Sequence, residues 1–310
     1  MTASPPPPRR APRSEPREIA ELRQLRVDQP ELAEGVDLQI ELLMLQRRVQ
    51  ARIPLPWFEI DAAWVKAQHD EGMPLLRFGE IPIEWTELRL LFRQAADILQ
   101  RFGAIEARDH ERLQALARAG KTLEPLVAEW YNAAAGLGRA ARQAAGSSAD
   151  GPGRAPEGSA QATLPVPVSR DALDEVLALA MRPFLERSAE SIQQRTDLTS
   201  WREPYCPICG GEVEFAVITP SAERLLICGR CSARWRFHAL ACPFCRNDDR
   251  SRITSFTSRD GRYRLYACDV CRRYLKAHDG RTAGRPLLLA VDTIATLPLD
   301  AAAIKKGYRA

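Results

Sequence analysis

Up to about residue 200 the apolar positions recur with the 3.6-residue period of amphipathic helices; beyond it they alternate in short runs, as in strands. Leu38, Leu42, Leu45 and Val49 form one helical stripe after Asp37, a suitable N-cap, and Pro54 ends the run. Trp85, Leu88, Phe92, Ala95, Leu99 and Phe102 form a longer stripe that Gly103 closes. Helices are also predicted over Ala107 to Ala119 and Leu123 to Ala141. Ser169 caps a last one carrying Leu173, Val176, Leu177 and Ala180, which Pro183 should bend or restart. Trp64, Trp85 and Trp130 read as core, while His69 and His110 fall on polar faces and read as solvated. The pattern over 17–197 therefore predicts a helical bundle.

The alternating runs predict hairpins. Val213 to Thr219 and Arg224 to Ile227 flank Pro220-Ser221-Ala222-Glu223, and Arg252 to Ser258 and Arg262 to Ala267 flank Asp260-Gly261. Between them, Ser232 to Ala241 alternates over a single strand. These runs divide into two small β modules, 198–241 and 242–285, followed by a segment, 286–310, expected to pack back on the modules or the bundle. Met1 to Pro16 is proline-rich and polar and reads as a disordered tail. Ala145 to Val168, rich in Gly, Ser, Pro and Ala, reads as a flexible loop within the helical half.

Sulfur says what the modules hold. All eight cysteines lie in one 66-residue window as four C-x-x-C pairs: Cys206/Cys209, Cys228/Cys231, Cys242/Cys245 and Cys268/Cys271. Four thiolates fill one tetrahedral shell, so the count matches two closed metal sites with no thiol left over. A disulfide scaffold is the rival, but such scaffolds belong to small secreted chains, and no secretory signal is apparent. A thioredoxin-like use requires a βαβ setting, which these short strands do not provide. Each hairpin returns the chain to its starting end, and Ser232 to Ala241 carries it onward. Sequential pairing is expected: Cys206, Cys209, Cys228 and Cys231 in site 1, and Cys242, Cys245, Cys268 and Cys271 in site 2. The alternative is a cross-braced arrangement.

Tetrahedral sulfur suits zinc or iron. In Cys206-Pro207-Ile208-Cys209-Gly210 the proline narrows the backbone and the glycine permits the left-handed turn that aims amides at sulfur, as in rubredoxins and zinc ribbons. Cys242-Pro243-Phe244-Cys245-Arg246 keeps only the proline and the other two pairs lack both, so site 2 is expected to be the less regular. The fold class is thus α+β: an all-α bundle, then two rubredoxin-like or zinc-ribbon-like modules, each with a four-cysteine metal site. Closed sites leave no open position for a substrate, so the ions brace a module too small for its own core. Arg246, Arg250, Arg252, Arg262, Arg264, Arg272 and Arg273 are candidate counterions to the thiolates.

Composition narrows the classes. A net charge of +4 does not demand nucleic acid, and no apolar run is long enough to span a bilayer. Arg9-Arg10 is followed by a polar stretch and not by the apolar one an export signal needs, which points to the reducing cytoplasm. There is no G-x-S-x-G, H-E-x-x-H or Walker A sequence, and Glu84, Glu87, Asp109 and Glu111 are scattered among arginines as on solvated helix faces. No catalytic residue is assigned, and the chain reads as a non-enzyme. Arginines interleaved with Trp235, Phe237, Phe256, Tyr263, Tyr266 and Tyr274 would suit base stacking, making a nucleic-acid-binding zinc ribbon one alternative. A rubredoxin-like electron carrier is the other.

The chain also resembles the FdhE family of formate dehydrogenase accessory proteins over nearly its whole length. The matching stretches are Met181-Arg182-Pro183-Phe184-Leu185, Cys206 to Gly210, Cys228 to Cys231 running into Trp235, Cys242 to Cys245, Cys268 to Cys271 followed by Tyr274-Leu275-Lys276, and Val291 to Asp300. The resemblance implies a cytoplasmic maturation factor, a chaperone without catalytic activity. Its partner would be the catalytic subunit of respiratory formate dehydrogenase, a molybdoenzyme bearing a twin-arginine export signal. It also implies iron in rubredoxin-like sites, placing iron ahead of zinc, with the eight cysteines as ligands. Met1 to Pro16 and Ala145 to Val168 match no family motif.

Overall fold

The computed structural model describes residues 15–119, 122–134 and 168–309. Most of the predicted tail, nearly all of the predicted loop and the end of the helix predicted from Leu123 lie outside these residues. The helical half contains α1 (Arg17–Asp28), α2 (Ala33–Gln50), α3 (Ala62–Glu71), α4 (Trp85–Arg101), α5 (Ala107–Arg118), α6 (122–134) and α7 (Arg170–Gln193). The strands follow as β1 (Val213–Ile218), β2 (Arg224–Cys228), β3 (Arg234–Arg236), β4 (Ile253–Thr257), β5 (Tyr263–Cys268) and β6 (Tyr274–Asp279). Two short helices, α8 (Leu289–Ala295) and α9 (Leu297–Lys305), end the chain.

Local signals explain most boundaries. On α4 the buried residues Leu88, Leu91, Phe92, Ala95 and Leu99 share one face, and Gly103, at φ 68°, terminates the helix as expected. Asp61 caps α3 by accepting from Trp64 N–H at 2.8 Å, and Ser169 caps α7 by accepting from Ala172 N–H at 3.2 Å. Asp37 is not an N-cap. The apolar stripe extends one turn earlier through buried Val36, so α2 starts at Ala33, and Asp37 instead pairs with Arg26 of α1 at 2.9 Å. Pro183 does not restart α7, which runs through it. The proline removes the bond to the Leu179 carbonyl, and Gln46 Nε2 of α2 donates there at 3.1 Å in its place.

The strands form one six-stranded sheet in the order β3-β2-β1-β6-β5-β4. Both predicted hairpins are present, β1 with β2 and β4 with β5. The strand expected over Ser232 to Ala241 shrinks to Arg234–Arg236, pinned by buried Trp235, whose indole N–H donates to Glu203 O at 3.2 Å. β6, buried along its whole length, pairs antiparallel with β5 and parallel with β1, so a single sheet crosses both modules. One apolar core unites the bundle with site 1, from Leu42 through Phe92, Val127 and Phe184 to Cys206, Cys209, Cys228 and Cys231. The C-terminal helices close the structure. Val291 and Ile294 pack on Leu22, Leu25 and Val36, Leu287 packs on Phe215 and Tyr263, and Ala303 packs on Leu265 and Tyr274.

Candidate metal centres

Each C-x-x-C pair sits on the same turn, built four times. The N–H of the residue after the second cysteine donates to the carbonyl of the first: Gly210 to Cys206 at 3.0 Å, Ser232 to Cys228 at 3.1 Å, Arg246 to Cys242 at 2.9 Å, and Arg272 to Cys268 at 2.9 Å. The first cysteine's own N–H donates two residues beyond the second: to Gly211, Ala233, Asn247 and Arg273, at 2.8 to 3.0 Å. The donor after the second cysteine is left-handed in every case, with φ of 73°, 57°, 62° and 60°. Only Gly210 adopts this without strain, so Ser232, Arg246 and Arg272 are held there by the turn. The expectation of a less regular site 2 fails for this reason: the turn geometry is preserved without the glycine. Gly211 serves a different need, because a β-carbon there would lie 2.9 Å from Cys228 Sγ.

The turns bring the sulfurs into two quartets, and their membership is sequential: Cys206, Cys209, Cys228 and Cys231, then Cys242, Cys245, Cys268 and Cys271. Among the described residues these are the only groups of three or more side chains placed to share an ion. In site 1, Cys206 and Cys231 are 3.6 Å apart, and Cys209 lies 3.5 Å from both Cys228 and Cys231. In site 2, Cys242 and Cys271 are 3.7 Å apart and Cys245 and Cys268 3.6 Å. A tetrahedral ion with metal–sulfur bonds of about 2.3 Å sets sulfur–sulfur edges of about 3.8 Å, so both quartets fit such an ion. All eight thiols are free.

Without an ion each quartet shares its protons unevenly. Burial opposes ionisation of Cys228, yet hydrogen bonds from Cys206, Cys209 and Cys231 and from the Arg230 N–H outweigh it and hold its thiol well below the usual range. In site 2 a hydrogen bond from Cys242, against burial, draws Cys271 down to about 5, while burial pushes Cys245 up to about 11. Ion uptake would therefore release protons.

The surroundings of the two quartets differ. Site 1 faces the bundle: the backbone N–H groups of Leu75 and Leu76 donate to the carbonyls of Pro207 and Ile208 at 2.9 and 2.8 Å, fixing the first turn from outside. Arg182 of α7 donates to Gly229 O at 2.7 Å. Burial works against its charge, but Glu214, Glu186 and the Cys228 sulfur keep it protonated. Arg230 lies 3.8 Å from the Trp130 ring centre and donates to Trp130 O at 3.2 Å. Site 2 faces outward, with Cys245 exposed and Cys271 half-buried, while Cys242 and Cys268 are buried beside Arg224, Ile253, Tyr266 and Leu275 of the sheet, and the chain end packs on its outer side. There Tyr308 donates to Asp269 at 2.6 Å and Arg272 stacks on its ring.

Five of the seven expected counterions pair with carboxylates: Arg246 with Glu203, Arg262 with Asp260, Arg264 with Asp279, Arg272 with Asp269 and Arg273 with Glu212. Arg182, which donates to Gly229 O, and Arg230, which lies within the Cys228–Cys231 turn, carried no spacing signal. His69 is 8% exposed and not solvated, with Nδ1 2.6 Å from Ser200 Oγ, and His110 is partly buried against Asp97 at 2.7 Å. Neither joins a metal cluster. Trp130 is core as expected, and Trp64 and Trp85 pack against the core half-buried.

Comparison with known proteins settles the fold. The chain matches no family model and no curated protein. Among solved structures, the FdhE protein from Pseudomonas aeruginosa matches 94% of this chain and 92% of its own length, at a TM-score of 0.56 and 16% sequence identity. This chain has an FdhE-like fold. The likeness spans both halves, so the pairing of a helical bundle with a sheet is common to both proteins. Among the described residues no helix is long and apolar enough to cross a membrane.

Proposed function

We propose that this chain is an accessory protein for maturation of respiratory formate dehydrogenase, acting in the cytoplasm without catalysing a reaction of its own. The observation that carries this reading is the conjunction of an FdhE-like fold over nearly the whole chain with two tetrathiolate quartets. In this reading site 1 joins the sheet to the bundle, site 2 orders the outer rim, and the braced surface holds the enzyme's catalytic subunit before export. Both ions are iron, following the family resemblance, with zinc as the alternative that the same donors accept. The nucleic-acid reading loses support because Trp235, Tyr263 and Tyr274 are buried and cannot stack on bases.

Co-purification tests the proposal. Tagged chain expressed in its own host should retain the formate dehydrogenase catalytic subunit through a high-salt wash, and deletion of its gene should abolish formate-dependent dye reduction. Normal enzyme activity in the deletion strain, with no subunit captured, would overturn it. Iron-loaded protein should show thiolate-to-iron charge-transfer absorbance that zinc-loaded protein lacks.

A further inference from the structure

The segment joining α2 to α3 leaves apolar side chains in solvent. Trp57 is 76% exposed and Leu55 beside it is exposed as well. Trp57 is propped from one side by Arg195, whose guanidinium lies 3.4 Å from the ring centre and also donates to Phe58 O. Next to it opens a groove of about 480 Å³, floored by Leu75 and Ile192 and walled by Phe58, Ile60 and Trp64. Glu59 and Glu80 are the charged residues of its lining. Glu59 forms no ion pair among the described residues, and Glu80 accepts from the Arg77 backbone N–H at 2.9 Å.

This chemistry is selective. Aromatic faces attract a cation, carboxylates pair with it, and an apolar floor takes the side chain beside it. The floor is also tied to site 1, because the Leu75 N–H donates to Pro207 O, next to Cys206. We infer that this groove docks a peptide segment carrying arginine or lysine beside apolar residues, and that in the cell the segment belongs to the partner; the second clause rests on the maturation role proposed above. Other charged clefts fit such a guest less well. The larger cleft between the two metal sites, about 720 Å³, has carboxylates that are already engaged, as in the Arg273–Glu212 and Lys276–Asp300 pairs.

Fluorescence anisotropy tests the groove on the full metal-loaded chain. The probes are a labelled peptide of alternating leucine and arginine and a counterpart with glutamate in place of arginine. The arginine peptide should bind in a salt-sensitive manner and its counterpart should not. Trp57→Ala and Glu59→Lys, both surface changes checked for folding by circular dichroism, should each weaken binding at least about tenfold. Equal binding of both peptides, or unchanged affinity in both variants, would overturn the inference. The same variants then serve as bait for the catalytic subunit. Loss of capture in the variants supports the groove, and capture that survives both removes it while leaving the maturation role standing. If the unaltered chain captures nothing, that role fails and the peptide titration alone decides the groove.

Discussion

The two cysteine quartets share one turn geometry and differ in what stands behind it. Site 1 has all four sulfurs at 2% exposure or less and is gripped by Leu75, Leu76, Arg182 and Arg230 from the helical half or its own flank. Site 2 presents Cys245 to solvent and leans on the last residues of the chain. Identical local geometry therefore carries unequal energetic weight: removing the first ion would leave a hole in the shared core, and removing the second would loosen a rim.

The comparison breaks most visibly by removing one ligand at a time. Cys209→Ser should lose one ion per chain and destabilise the whole fold by on the order of 5 kcal/mol or more, read as loss of cooperative thermal unfolding. Cys245→Ser should also lose one ion but keep helical circular dichroism, at about 1–3 kcal/mol. Equal damage from both would erase the distinction. Kinetics sharpen it. A metallochromic chelator should withdraw one ion at least about tenfold faster than the other, and Cys245→Ser should abolish the fast phase, since the exposed thiolate is the accessible one.

Arginines give a smaller contrast. Arg182→Met removes the donor to Gly229 O and leaves half-buried Glu214 and Glu186 without their cation, so a loss of about 1–3 kcal/mol is expected in urea unfolding. Arg272→Met breaks an exposed pair with Asp269, the donation to Lys306 O and the stack on Tyr308, and should cost less, about 1 kcal/mol.

The smallest effect concerns His278 of β6, 1% exposed, with neither ring nitrogen hydrogen-bonded. Burial holds its pKa below the ordinary imidazole value, with Asp292 and Asp279 opposing the shift and Arg285 and Arg262 adding to it; Tyr263 stacks edge-on. The folded state thus favours neutral imidazole. That contribution is complete above about pH 6.5 and fades as pH falls below it, because the unfolded chain takes up the proton first. His278→Phe should leave stability at pH 8 within about 1 kcal/mol and flatten its decline below pH 6.5, apart from the share due to His69.

Much of this was legible because it is local. Proline, Asp-Gly and cysteine spacing announced both hairpins and the grouping of the quartets, since a turn and its flanking strands are written in adjacent residues. What escaped is long-range or enforced. The parallel pairing of Phe215 to Ile218 with Lys276 to Asp279 joins segments some sixty residues apart in sequence, and no local pattern encodes it. Ser232, Arg246 and Arg272 take a glycine's conformation because their amides must close the turn. Buried His69 looked polar until Ser200 and Trp201 folded over it.

Metal content of paired cysteine variants tests the central claim most directly. By elemental analysis the unaltered chain should carry two ions, Cys206→Ser/Cys228→Ser one, and Cys206→Ser/Cys242→Ser none. One ion in the last variant with none in the second would mean that the quartets are cross-braced. A folded, metal-free chain would mean that sulfur does not hold this sheet to its bundle through an ion at all.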